Sequence, residues 1–165
     1  MTDYSQNLRR RFADGLYTEM KANKKIIVLS GDLGYKVFDK IRVDFPDRFL
    51  NIGAAEQALV GIAVGMALEG VIPVVYSISP FLLYRPFETI RNYIHHEKIP
   101  VKLIGSGRDK DYSHDGFSHW SCEDKQVMKI LSNIKSSWPN SANEVSKILP
   151  KLLHDNNPWY LNLKR

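Results

Sequence analysis

The sequence has a single cysteine and no long apolar run. Cys122 has no second thiol in the chain, which excludes an internal disulfide and is consistent with a reducing compartment. The longest apolar run, residues 58–68, is far shorter than the roughly 20 residues that a transmembrane helix needs. No secretory apolar segment follows Met1. We therefore expect a cytoplasmic protein.

Basic residues are in excess, but they are not concentrated in one segment. The formal net charge is +5, and residues 9–11 form the tightest basic cluster. Scattered positive charge is typical of solvated helix faces rather than of a nucleic-acid-binding surface. An acidic partner subunit or a phosphorylated substrate would explain the excess equally well.

Short apolar runs alternate with helical patterns along the chain. A length of 165 residues is enough for one domain with a substantial core. The runs that read as strands are residues 26–30, 49–52, 71–78, 101–107, 134–137 and 158–165. Strands joined through helices pair in parallel with right-handed crossovers. We predict an α/β fold with a doubly wound, mostly parallel sheet of about six strands and helices on both faces.

Glu56 stands at the start of a helical pattern that is otherwise uncharged. Gly53, Ala54 and Ala55 form a small-residue turn before it, and residues 58–68 carry no charge. A helix that is apolar on all sides is a buried one. A carboxylate at the edge of a core needs a partner, because burial otherwise raises its pKa. Glu56 either complements the helix dipole, worth about 0.3–1 kcal/mol, or makes a specific hydrogen bond.

Residues 108–122 form the second informative segment. They include two histidines, three aspartates, an arginine and a lysine, and they have no apolar period. Polar groups gathered in a loop directly after a buried strand favour a functional role, and histidine titrates near neutrality. Zinc binding by His114, His119 and Cys122 is an alternative, although the usual zinc-site spacings are missing.

Three motifs resemble the pyrimidine-binding domain of the transketolase family of thiamine diphosphate enzymes. The first is the G-x-x-E turn that ends at Glu56 and opens a Gly- and Ala-rich helix. The second is the series Phe81, Tyr84 and Phe87, within a helix that we predict over residues 80–98. The third is the segment D-G-F-S-H from Asp115 to His119, similar to the D-G-P-T-H loop of transketolases.

The resemblance implies a role for each motif. Glu56 would make a hydrogen bond to N1′ of the cofactor's aminopyrimidine, which favours the imino tautomer that generates the reactive ylid. Phe81, Tyr84 and Phe87 would stack on the pyrimidine ring. Asp115 would hold a hydroxyl of the donor sugar, and His119 would contact the substrate oxygen at the reacting carbon. His114 is a further substrate-binding candidate beside that motif.

The resemblance covers one domain of a three-domain enzyme. We find no G-D-G segment followed by paired asparagines, so Mg²⁺ and the diphosphate of thiamine diphosphate would be held by a larger partner subunit, in a heterotetramer of two plus two. We expect a single pyrimidine-binding domain without the diphosphate-binding and C-terminal domains. An exposed apolar patch beside Glu56 and Phe81 would be its docking face.

The implied reaction is the transfer of a ketol unit between sugars or sugar phosphates. The GAAEQ turn is closer to deoxyxylulose-phosphate synthases and split transketolases than to full-length transketolases. The alternatives are a subunit of a decarboxylase, of a deoxyxylulose-phosphate synthase-like enzyme or of a 2-oxo acid dehydrogenase, and a non-catalytic scaffolding subunit.

Overall fold

The computed structural model describes residues 7–165, which build a six-stranded sheet in which all neighbouring strands are parallel. The spatial order is β2-β1-β3-β4-β6-β5. The strands are β1 (Ile26–Ser30), β2 (Phe49–Asn51), β3 (Ile72–Ile78), β4 (Lys102–Ser106), β5 (Lys135–Ser137) and β6 (Trp159–Leu163). The predicted α/β fold with a parallel sheet is confirmed.

Seven α-helical segments of the described chain cover the two faces of this sheet. They are α1 (Leu8–Ala22), α2 (Asp39–Asp44), α3 (Glu56–Leu68), α4 (Ser79–Tyr84), α5 (Phe87–Thr89), α6 (Asp124–Ile130) and α7 (Ala142–His154). None of the helices in residues 7–165 is long and apolar enough to cross a membrane.

The sheet separates two apolar cores, because successive side chains of a strand point to opposite faces. On β3, Val74 and Tyr76 belong to the core that contains Phe12 of α1. Val75, which lies between them, belongs to the core that contains Leu59 of α3. Alternate side chains of the central strands thus pack against different helices, with α1 on one face of the sheet and α3 on the other.

β1 is the point at which the strand order of the sheet reverses, since β2 lies on one side of β1 and β3 lies on the other. Val28 of β1 pairs with Phe49 of β2 on one side and with Val74 of β3 on the other. The connections that follow β1 and β3 therefore diverge at the carboxyl edge, where open α/β sheets form ligand-binding crevices. Because α3 follows β2, its first residue, Glu56, lies at this same edge.

The single helix predicted over residues 80–98 is wrong. α4 ends at Tyr84, α5 begins at Phe87, and the chain continues as a π-helix from Ile90 to His96. Pro86 lies at the interruption, where it provides no backbone N–H for a continuous helical ladder. The break separates Phe87 from the helix that carries Phe81.

The prediction that α3 is buried on all sides is also wrong for this chain. One side of the helix packs against the sheet through Leu59, Val60 and Ala63. The other side is open to solvent and, beyond Gln57, exposes small and apolar residues, namely Ala58, Gly61, Ile62, Gly65 and Leu68. The periodicity identified the helix and its apolar character, but not the extent to which this chain covers it.

Candidate active site

Glu56 is almost fully buried at the carboxyl edge of the sheet, with a side-chain exposure of 1%. The hydroxyl of Ser77, at the end of β3, donates to Oε1 of Glu56 at 2.8 Å. Nη1 of Arg85 donates to Oε2 at 2.5 Å and forms an ion pair with it. Each carboxylate oxygen therefore has its own partner within the chain.

Gly31 makes room for this carboxylate at the end of β1. A Cβ atom at Gly31 would lie 3.2 Å from Oε1 of Glu56 and 3.2 Å from Oγ of Ser77, which is tighter than ordinary contact. A larger residue would therefore crowd the Glu56–Ser77 hydrogen bond. The turn that follows β1 thus helps to shape the site.

Arg85 connects Glu56 with the aromatic ring of Phe81. The Cζ atom of Arg85 lies 3.8 Å from the centroid of the Phe81 ring while its Nη1 contacts Glu56. The Arg85 side chain is 44% exposed, so solvent reaches the guanidinium although the carboxylate is buried. The Glu56 carboxylate and the face of the Phe81 ring are therefore close enough for one planar group to contact both.

Phe81 also contacts the loop that follows β4. The rings of Phe81 and His119 meet edge to face, with centroids 4.8 Å apart. Nδ1 of His119 lies 3.0 Å from the hydroxyl of Ser118. Glu56, Phe81 and His119, which are separated in sequence, are thus brought to one edge of the sheet.

The D-G-F-S-H segment begins at the last residue of a short 3₁₀ turn, Ser113–Asp115, and after Gly116 forms a second one, Phe117–His119. Gly116 has a φ of +82°, which favours glycine over other residues. Nε2 of His114 lies 3.2 Å from Oδ2 of Asp115, and both side chains are partly exposed. His114 and Asp115 therefore contact each other at the surface of the loop.

The three predicted aromatic residues are not equivalent. The hydroxyl of Tyr84 donates to Oε2 of Glu123 at 3.5 Å, and burial together with the Glu123 charge raises the pKa of Tyr84 to about 12. Phe87 is partly buried and packs against the core beneath α3. Phe81 contacts both Arg85 and His119, which makes it the best placed of the three to face a ligand beside Glu56.

A buried polar network supports the elements that carry these residues. Oδ2 of Asp124 accepts three hydrogen bonds, from Trp138 Nε1 at 2.8 Å, Asn162 Nδ2 at 2.9 Å and the Tyr160 hydroxyl at 3.0 Å. Burial raises the pKa of Asp124. Asn162 Nδ2 also lies 3.0 Å from Ser79 Oγ, at the start of α4, and from the carbonyl oxygen of Gly107, which opens the loop. β6 is thereby linked to both segments.

The roles of Ser77, Arg85 and Asp124 at the site were missed by the sequence reasoning. Ser77 is a hydroxyl-bearing residue in a largely apolar strand, and this is the sequence feature that indicates a polar contact at its position. Arg85 lies between two of the predicted aromatic residues, but its sequence neighbours do not indicate its ion pair. Among residues 7–165, no three His, Cys, Asp or Glu side chains form a group that would hold a metal ion.

Nearly the whole chain, residues 5–165, matches the family model described as transketolase, pyrimidine binding domain. The chain belongs to this family. Transketolase-family membership implies thiamine diphosphate as the cofactor. It also agrees with the resemblance found in the three sequence motifs.

Individual transketolase-family relatives extend this comparison. The chain is 36% identical over 120 residues to one of the subunits of the apulose-4-phosphate transketolase of Actinobacillus succinogenes, covering 73% of this chain and 39% of that protein. It is 29% identical over 161 residues to a provisionally assigned transketolase C-terminal section of Methanocaldococcus jannaschii, covering 97% of this chain and 51% of the relative. The chain thus spans about half or less of the length of these relatives.

A solved structure described as a split-gene transketolase, in the form of an inactive β4 tetramer, is also similar. It superimposes with a TM-score of 0.84 at 33% identity, and the match covers 96% of this chain and 51% of that one. The match supports the assignment of the transketolase-family fold to the whole described chain.

Proposed function

We propose that this chain supplies the pyrimidine-binding half of a two-chain, thiamine diphosphate-dependent transketolase-like enzyme. The observation that carries the proposal is the arrangement of the buried Glu56 carboxylate and the Phe81 ring. The two are close enough for the single guanidinium group of Arg85 to contact both. A pyrimidine that carries a proton on its ring nitrogen can donate this N–H to the carboxylate while its ring stacks on the aromatic face. Gly31 leaves room for the Glu56–Ser77 hydrogen bond, which orients this carboxylate.

In the proposed site, Glu56 accepts a hydrogen bond from the N1′–H group of the cofactor's pyrimidine in its imino or N1′-protonated form, and Phe81 stacks on the ring. Ser77 holds the other carboxylate oxygen and so fixes the orientation of Glu56. Tyr84 and Phe87 contribute to the outer wall and to the support of this pocket. When bound, thiamine diphosphate supplies a nucleophilic carbon that accepts the ketol unit.

The substrate side of the site is proposed for the loop around His119. His119 contacts Phe81 and would donate to the substrate oxygen at the reacting carbon. Such a bond accelerates the reaction insofar as it strengthens while charge develops in the transition state. Asp115 and His114 lie in the same loop and would hold hydroxyl groups of a sugar or sugar phosphate.

The remaining half of the site is proposed to come from a larger subunit that holds Mg²⁺ and the diphosphate, in a two-plus-two assembly. The exposed apolar side of α3 supports this proposal, since it begins directly after Glu56. The length comparison with the relatives is consistent with it. The similar β4 tetramer is described as inactive, which agrees with a need for a second kind of chain.

Reconstitution tests the proposal. The chain and a candidate partner that carries the diphosphate-binding motifs are purified separately and mixed with Mg²⁺, thiamine diphosphate, a ketose donor and an aldose acceptor. We expect ketol transfer from the mixture and none from either chain by itself. Turnover by this chain alone would overturn the split site. A mixture that consumed a 2-oxo acid instead of a ketose would overturn the sugar assignment.

A further inference from the structure

Arg85 stands out because it is held at the site without being built into the core. Its side chain is 44% exposed, whereas the carboxylate with which it pairs is 1% exposed. It follows the last residue of α4 and precedes Pro86, so it lies at a break between helical segments. The side chain can therefore leave Glu56 without disturbing the packing of an apolar core.

The guanidinium makes the two contacts that a bound aminopyrimidine needs. It donates an N–H to Oε2 of Glu56, and it lies 3.8 Å from the centre of the Phe81 ring. A guanidinium is planar and delocalised, and it both stacks on aromatic rings and donates in its own plane. An aminopyrimidine protonated at its ring nitrogen is also planar, stacks on aromatic rings and donates this N–H in its own plane. The two groups compete for the same surfaces.

We propose that Arg85 occupies the pyrimidine subsite of the chain before cofactor binding and is displaced when the pyrimidine enters. The proposal rests on the proposed function, and it adds a competing internal ligand to it. An unpaired carboxylate is unfavourable in a buried position, so Arg85 stabilises the chain while the subsite is empty. The pyrimidine takes over the hydrogen bond to Glu56 and releases Arg85 to solvent.

Competition of this kind has a measurable consequence. The apparent association constant of a ligand is its intrinsic association constant multiplied by the fraction of the protein in which the site is open. If Arg85 fills the subsite about nine-tenths of the time, its removal strengthens pyrimidine binding by about tenfold. If Arg85 instead helped to hold the pyrimidine, its removal would weaken binding.

The test uses the full 165-residue chain and 4-amino-2,5-dimethylpyrimidine, which has no diphosphate and so needs no partner subunit. NMR titration gives the affinity for the wild type and for Arg85→Gln, Arg85→Lys and Glu56→Gln. Arg91→Gln is the matched control, because Arg91 is exposed and pairs with Asn92 rather than with Glu56. The Nε–H signal of Arg85 reports directly whether the probe displaces its side chain.

We expect Arg85→Gln to bind the probe about tenfold more tightly than the wild type, with Arg85→Lys in between. Lysine keeps the positive charge but has no planar group that could stack on Phe81. The lysine variant also keeps the proposal testable if the glutamine variant fails to fold. Arg91→Gln should match the wild type, and Glu56→Gln should lose binding. The Arg85 signal should shift on titration of the wild type.

Two distinct results would overturn the proposal. Glu56-dependent binding that is unchanged or weakened in both Arg85 variants would refute the competition and leave the pyrimidine site standing. A probe that bound neither the wild type nor any variant would refute the pyrimidine subsite itself, and with it the basis of the competition. The dependence on Glu56 separates these two outcomes.

Discussion

The rings of Phe81 and His119 meet edge to face, with centroids 4.8 Å apart and an angle of 67° between their planes. Phe81 lies on α4, whereas His119 lies in the loop after β4. The resemblance assigned the first to the cofactor and the second to the substrate. Their contact makes the two proposed subsites neighbours, so changes on one side can be tested for effects on the other.

Replacing Glu56 with Gln should reduce ketol transfer by the reconstituted enzyme by about 100-fold or more, in the range typical of lost acid–base assistance. The amide keeps the shape of the side chain and can still accept from Ser77, but it has no charge. Steady-state assays measure the rate, and size-exclusion chromatography checks that the subunits still assemble.

Glu97→Gln is the matched control for this change, because Glu97 is an exposed acid on the same chain. It should leave both rate and assembly unchanged. Unchanged turnover in Glu56→Gln would remove the role assigned to Glu56.

Replacing His119 with Ala should lower kcat/KM for the donor sugar about 10- to 100-fold, the effect of losing a hydrogen bond to a charged group. The affinity for thiamine diphosphate should change much less, because Phe81 and Glu56 remain in place. Donor kinetics and calorimetric titration of the cofactor separate the two effects.

His154→Ala provides the comparison, since His154 pairs with Glu19 at the end of α7. A larger loss of cofactor affinity than of donor turnover in His119→Ala would move His119 out of the substrate pocket.

Gly61 should be more important for assembly than for folding. A Cβ atom at Gly61 would meet nothing within 4 Å in this chain. Gly61→Ala should therefore stabilise the isolated chain by about 0.5–1 kcal/mol, because alanine favours helix more than glycine does. Gly61→Arg should instead prevent docking of the larger subunit against α3, by steric and charge effects. Urea unfolding measures the first effect, and analytical ultracentrifugation of the mixed subunits measures the second.

Asn143→Arg, at an exposed position of α7, controls for the added charge and bulk and should leave assembly intact. Normal assembly of Gly61→Arg would show that the exposed side of α3 is not the docking surface.

Asp124 should make the stability of the chain depend on pH. Burial raises its pKa above the ordinary value of 3.8, so the folded state binds this proton more tightly than the unfolded state does. As the pH rises from 3.8 through the folded pKa, the unfolded state releases this proton at a lower pH than the folded state does. The unfolded state is thereby stabilised relative to the folded state, and the free energy of unfolding falls. Asp124→Asn does not titrate but keeps a carbonyl acceptor, so its unfolding free energy should lack this fall.

Urea unfolding of the two proteins between pH 4 and about pH 7 measures the difference, with the exposed Asp14→Asn as the control. Parallel curves for the wild type and Asp124→Asn would contradict a raised pKa at Asp124.

Local patterns predicted most of the fold and identified the segments that carry Glu56, Phe81 and His119. The strand runs, the start of α3 at Glu56 and the loop before His119 all depend on residues close together in sequence. The partners of Glu56 do not, because Ser77 and Arg85 are 21 and 29 residues away. Their contacts exist because parallel strands bring distant segments to one edge, which periodicity does not specify.

The same limit explains the error on α3. Its composition is that of a buried helix, and the sequence reasoning took the burial to come from this chain. The sheet covers Leu59 and Ala63, whereas Gly61 and Gly65 remain uncovered. An apolar pattern shows that a surface avoids water, but it does not identify the molecule that covers it.

The exposed side of α3 carries Gly61 and Gly65 beside the apolar side chains of Ile62 and Leu68, so backbone and apolar atoms contact water there. If the two-chain proposal holds, copies of this polypeptide made in surplus would adhere to one another or to unrelated proteins. We therefore expect the cell to synthesise the two polypeptides in matched amounts, and recombinant yield to improve when both are produced together.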